Sequence, residues 1–349
     1  MRKRVAAGVG FAALLFLLVQ LGALALVPTF YESGYQTVED PSDPTNSLVY
    51  IVAILVATAG MLAAFKYDLD WVVRAFVVVA AASIAWYVFS VFLPPLAAIG
   101  ASIALAALLV IHPEWYVIDA AGVLMGAGAA GLFGISFGLL PAILLLSVLA
   151  VYDAISVYGT EHMLDLASGV MDLKLPVVLV VPTTLSYSLR DTDAAKTVSD
   201  AGRDGDADVA ADSDADVAVD IEGDDGDVIT ADGEDDVGDA DGNDTDDDVR
   251  DAFFIGLGDA VMPTVMIASA AFFLPADLTP SLGLAWLPAL TFPALTSMVG
   301  TFAGLFVLLW MVLKGRAHAG LPLLNGGAIG GYLVGALVSD VPLLTALGL

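Results

Sequence analysis

Phe253-Phe254-Ile255-Gly256-Leu257-Gly258-Asp259-Ala260-Val261 opens an apolar run, residues 253–274, that contains one carboxylate and is as long as a bilayer is thick. A second stretch has the same character. In Leu149-Ala150-Val151-Tyr152-Asp153-Ala154-Ile155-Ser156, a single acid again interrupts a run of spanning length, residues 141–158. Ionisable groups inside such runs are expensive, and they mark function unless they reach water.

Working outward from these two runs, seven more have spanning length. The full set is about 5–27, 47–65, 73–93, 95–111, 117–138, 141–158, 253–274, 284–313 and 321–339. Pro94-Pro95 and Pro141 separate the middle runs, as turns between antiparallel helices require. The first run follows Arg2-Lys3-Arg4, is too long for an ordinary signal-peptide core and has no clear cleavage site before Pro28, so it reads as a retained signal-anchor helix. With the N-terminus inside and sides alternating, all 12 Lys and Arg of the chain fall on the cytoplasmic side. The expected fold is an all-α polytopic membrane protein with nine transmembrane helices, N-terminus cytoplasmic and C-terminus outside. Residues 1–140 carry the first five spans. Residues 141–190 carry span six and a strand-like extension, 191–251 an acidic cytoplasmic loop, and 252–349 spans seven to nine.

The composition needs that segregation. Across 349 residues, 58% hydrophobic content stands beside a formal net charge of −28, and the mean hydropathy is +0.86. Residues 191–251 alone hold 25 acids and three bases, a net −22, in Asp/Gly/Ala/Val repeats without an aromatic residue. Such a stretch is expected to be a disordered spacer, and its Asp usage suits a halophilic source. Windows beginning at Asp204, Asp212 or Asp241 lack the ligand pattern of an EF-hand loop, so no metal is expected. The absence of Cys excludes disulfides, thiolate metal sites and Cys nucleophiles, and the negative charge excludes nucleic acid as a partner. No cofactor is implied.

Between span six and the acidic tract, Leu173-Lys174-Leu175-Pro176-Val177-Val178-Leu179-Val180-Val181 is too short to span and rich in β-branched residues, so it reads as a strand. Asp119 and Asp340, near span ends, read as interfacial residues reaching water, and Glu161, His162 and Asp165 as a polar extension of span six. Asp153 and Asp259 resist that reading. They lie about five and six residues from the cytoplasmic ends of their spans, roughly 8 and 9 Å deep on adjacent antiparallel helices. Two carboxylates brought together in low dielectric cannot both ionise, so the pair shares a proton, and one member can activate water while the other donates to a carbonyl. Gly256 and Gly258 would let another backbone approach and weaken the helix there. On the acids alone, proteolysis and ion-coupled transport both remain open.

Tyr152-Asp153 and Gly256-Leu257-Gly258-Asp259 resemble the two catalytic motifs of the presenilin and signal peptide peptidase family, the GxGD intramembrane aspartyl proteases. Pro263 resembles the signal peptide peptidase version, whereas the span count and the large loop resemble presenilin. The whole chain is most similar to archaeal presenilin-type homologues. The resemblance implies an intramembrane aspartyl endopeptidase with Asp153 and Asp259 catalytic and Tyr152, Gly256, Leu257 and Gly258 in support. Its substrates would be single-span membrane proteins or signal-peptide-like segments in the lipid bilayer.

The family's Pro-Ala-Leu motif has literal matches at Pro288-Ala289-Leu290 and Pro293-Ala294-Leu295, both on the outer side in this topology. Pro322-Leu323-Leu324, on the cytoplasmic side, is the better counterpart and is expected to be non-helical and to flank the cleft. Leu175, Val177 and Leu179, on the strand-like run, would pair with an unwound substrate. Prepilin peptidases share a GxGD acid but follow it with a basic residue, where Ala260-Val261-Met262 stands here. The acidic tract lacks the helix that presenilin cleaves in maturation, so no endoproteolysis is expected.

Overall fold

A computed structural model describes residues 2–159, 177–182, 252–314 and 319–349. The acidic tract, Leu175, Glu161, His162 and Asp165 lie outside them. Nine apolar helices follow one another among the described residues: α1 (Arg2–Glu32), α2 (Thr45–Lys66), α3 (Asp70–Phe92), α4 (Pro95–Ile111), α5 (Trp115–Ser136), α6 (Leu139–Gly159), α7 (Leu257–Phe273), α8 (Phe292–Val312) and α9 (Gly320–Val338). A one-turn helix, α10 (Leu343–Ala346), closes the chain. Seven of the nine are long enough to cross a membrane, and α4 and α7 are shorter apolar helices of 17 residues. Pro95, Pro141 and Pro293 stand in first turns, where the missing N–H costs nothing because no carbonyl waits for it.

The apolar run that opens at Phe253 is not one helix. Residues Ala252–Gly256 form a strand, β2, and the helix begins only at Leu257. Its partner β1 (Val178–Pro182) is the strand expected near Leu173–Val181, shifted toward the C-terminus. The two pair antiparallel with Val178 opposite Gly256, Val180 opposite Phe254 and Pro182 opposite Ala252. Leu257 N–H adds a rung to the Val177 carbonyl at 2.9 Å. Aromatic and β-branched side chains suit a strand, but they suit a buried helix equally well, so the run alone does not separate the two. Span eight is also shorter than its apolar pattern. Residues 275–291 form a connection closed by a bridge between Ser281 and Thr291, and Thr291 then caps α8 by accepting from Ala294 N–H.

The bundle is centred on α5, α7 and α9, with α1 against α5 and α7. Phe16, Val19, Ala23 and Leu24 of α1 are fully enclosed, so this helix belongs to the core. The closest packing joins α8 to α9. A Cβ added at Gly300 or Gly304 would run into the backbone of Gly327 or Leu323, and one at Gly327 or Gly331 into that of Gly300 or Thr296. Small residues let the two backbones touch, which drives association where lipid removes the hydrophobic force between helices. Polar rungs add to the packing within this pair and between other helices. Ser269 donates to the Phe137 carbonyl at 2.8 Å, Ser297 to that of Ala328 at 2.9 Å, and Asn325 to that of Leu146 at 3.0 Å.

Candidate active site

Three helix segments converge at one end of the bundle. Asp153 projects from the penultimate turn of α6 and is 7% exposed. Its Oδ2 accepts the Leu321 N–H at 3.0 Å, and the Gly320 N–H bonds to it as well. These are two of the N–H groups that the first turn of α9 cannot satisfy internally, so a carboxylate from a neighbouring helix caps α9 and meets the positive end of its dipole. Tyr158, one turn further along α6, accepts the Ala319 N–H at 3.4 Å.

Asp259 approaches the same turn from the other side. It stands in the first turn of α7, half-buried, with its carboxylate against Gly320. A Cβ at residue 320 would lie 3.0 Å from Asp259 Oδ2 and 3.2 Å from Cγ. A side chain there would press directly on the carboxylate, so Gly320 is a site residue that the motif-based reading missed. Its signal is a glycine at the first position of the helix that follows Lys314 and Arg316. The two carboxylates thus share one short stretch of backbone and act on each other electrostatically.

The expectation for the other site residues is met unevenly. Asp259 is not deep within a continuous helix, because β2 replaces the helix's expected first turn. Tyr152 is 42% exposed, pointing away from its neighbour Asp153. Leu257 is buried, and its N–H holds β1. Gly258 has open space where a side chain would stand, and a Cβ at Gly256 would make only ordinary contact with Asp259. No backbone crowds either glycine, so what they provide is room in front of the acid. Pro322-Leu323-Leu324 is helical, contrary to expectation. Pro322 is the third residue of α9, where a missing N–H is tolerated, and Leu324 is fully buried. The segment does adjoin both acids, while Pro293 begins α8 at the far end, roughly 30 Å of helix away. Leu179 lies on β1 as expected and is fully enclosed, while Val177 immediately precedes the strand. Asp119 does not reach water: it is 3% exposed, and it accepts the Val180 N–H at 2.7 Å. Asp340 is exposed at the end of α9 as expected.

A further feature shapes the acid on α7. Pro263 stands inside that helix, four residues after Asp259. It has no N–H to give the Asp259 carbonyl, so one rung of the first turn is missing. Among the described residues no group of three or more metal-ligating side chains occurs.

Comparison with known proteins agrees with this geometry. The chain is similar to the solved structure of a presenilin family intramembrane aspartate protease in space group C222, at 28% identity and a TM-score of 0.58, covering 95% of this chain and 99% of that one. A presenilin family intramembrane aspartate protease in space group P2 gives 29% identity and a TM-score of 0.55 over 93% and 96% of the two chains. No curated protein matches. The family model described as signal-peptide peptidase, presenilin aspartyl protease matches residues 13–341. The chain therefore belongs to the signal-peptide peptidase and presenilin family, and it is a multi-pass membrane protein and an aspartic-type endopeptidase that cleaves within the membrane.

Proposed function

We propose that Asp153 and Asp259 are the catalytic pair, hydrolysing peptide bonds in single-span or signal-peptide-like substrates by shared general acid and base chemistry. The observation that carries this reading is their convergence on Gly320-Leu321 from two different helices. Holding one proton between them, one acid takes a proton from the attacking water while the other donates to the scissile carbonyl. A transmembrane helix has every amide bonded internally, so the substrate must unwind before water can attack.

Strand addition fits that need, with one change from the sequence-based expectation. The strand-like run, including Leu175, Val177 and Leu179, was the expected partner of the substrate. However, β1 is paired with β2 on one side and packed against α1 and α5. The opposite edge of β2 carries no strand among the described residues, and β2 leads directly into the turn bearing Asp259. An unwound peptide added to β2 would run past Gly256 and Gly258, where open space lies before the acid. Pro322, Leu323 and Leu324 would form the other wall. In this reading the N-terminus and the loop 159–252 are cytoplasmic.

The test is incubation of the purified full chain with a single-span substrate, with and without a transition-state analogue of aspartic proteolysis. Cleavage should be blocked by the analogue and lost, by about 1,000-fold or more, in Asp153→Ala and Asp259→Ala, the scale on which removing a catalytic group acts. Retained cleavage in Asp259→Ala overturns the assignment. Proton-driven uptake lost in Asp153→Asn, without proteolysis, would favour a transporter built on the same acids.

A further inference from the structure

The catalytic proposal leaves one buried carboxylate without a task. Asp119 lies one turn into α5, is 3% exposed, and accepts one hydrogen bond, from the Val180 N–H to its Oδ1. Its Oδ2 is buried with no hydrogen-bond partner among the described residues. Enclosing a carboxylate for a single bond costs more than that bond returns. A leucine at this position would pack more cheaply.

The strand register shows what the bond does. Because Leu257 N–H meets the Val177 carbonyl, residues 177 and 257 are a hydrogen-bonded pair. Alternation then turns Leu179 toward Ile255 and Val181 toward Phe253, and it points the backbone groups of Val178, Val180 and Pro182 to the outer edge of β1. On that edge Pro182 has no N–H, and Asp119 holds the N–H of Val180. Two of three donors are removed. On the outer edge of β2 the N–H groups of Phe254 and Gly256 point away from β1. Sheets protect an edge from unwanted pairing by removing or occupying its donors, and inward-pointing charge is one such device.

We propose that Asp119 is an edge cap, a positioning residue that closes β1 to an extended peptide so that the substrate strand enters only at β2. The inference rests on the strand-addition reading above. Its consequence is geometric. A peptide on the outer edge of β2 lies one strand spacing, about 4.8 Å, from the strand that leads to Asp259, whereas one on β1 lies about twice as far. Adding the peptide to β1 would carry its bonds out of reach of the acids.

The test uses the full chain and a single-span substrate, with products identified by mass spectrometry and KM and kcat measured separately. Asp119→Leu frees the Val180 N–H. It should lower kcat and KM together by roughly 5- to 10-fold, the mark of a competing unproductive mode, with the cleaved bond unchanged. Val180→Pro placed in the Asp119→Leu background removes the same donor covalently and should restore kcat and KM. A residue that only holds α5 to β1 would not be rescued by proline. An Asp119→Leu protein with unchanged kcat and KM overturns the proposal, and so does failure of proline to restore them. If Asp119→Leu does not fold, hydrogen exchange in the unaltered protein decides. The Val180 amide should exchange at least about tenfold more slowly than that of Val178, and equal rates overturn the cap. No cleavage by the unaltered protein would instead count against the proposed function, so the two failures are distinguishable.

Discussion

α2 and α5 are each 22 residues long and mostly apolar, yet they occupy opposite environments. Only Ser47 of α2 is buried, while 14 residues of α5 are. Hydropathy ranks them the wrong way for a core argument, at 2.5 for α2 and 1.6 for α5. Residue size makes the difference. α2 presents Val, Ile and Leu to the lipid. α5 brings Gly126, Gly128, Gly131 and Gly134 against Val19, Ile84, Phe30 and Ala268 of three surrounding helices. In lipid the apolar face is the outside, and the inside is where backbones can come close.

Substitutions can break or sharpen this comparison. The largest effect is expected where close approach and chemistry coincide. Gly320→Val places a branched side chain against the Asp259 carboxylate and should lower kcat by roughly 100-fold, the cost of displacing a reacting group by about 1 Å. The protein should still fold, so unchanged thermal unfolding alongside lost cleavage checks it. Next comes Gly134→Leu on α5. A Cβ there overlaps Ala268, and overpacking of this kind should destabilise by about 3 kcal/mol, read as a lowered unfolding midpoint in detergent. Ser269→Ala, which removes the rung to Phe137, should cost only about 0.6 kcal/mol, as interhelical hydrogen bonds in membranes do. The smallest effect is on α2. Gly60 has nothing within 4 Å of an added Cβ, so Gly60→Leu should change stability by less than about 0.5 kcal/mol. A large loss there would show that this face of α2 has a protein neighbour. Removal of residues 191–251 should likewise leave cleavage in place at suitable salt, and its loss would mean the tract is more than a spacer.

Much of the architecture was legible in the order of apolar runs, because length and hydropathy are local properties. The two acids were legible for the same reason, since nothing nearby in sequence excuses a carboxylate inside Leu149–Ser156 or Phe253–Val261. What escaped were features fixed by distant partners. Ala252–Gly256 is a strand only because Val178–Pro182 lies beside it. Asp119 looks like a residue one turn from water until β1 covers it. Gly320 is an unremarked glycine until Asp259, 61 positions earlier, arrives against it. Pro322 seemed to argue against a helix, but its place in the first turn made the missing N–H harmless. In the first three cases the deciding contact is between elements, and no pattern within one element encodes it.

The gap that Pro263 leaves in α7 has a mechanical meaning. Asp153 is fixed in an unbroken helix and tied to α9 by backbone donors, so its position is stiff. Asp259 follows a strand-to-helix junction and precedes a turn that lacks a rung, so its backbone can be reshaped at small cost in free energy. If the two acids are the catalytic pair proposed above, the displacement that brings them to a working separation is expected on the α7 side. The site is an anvil and a hammer: α6 and α9 hold one acid still, and the softened start of α7 delivers the other.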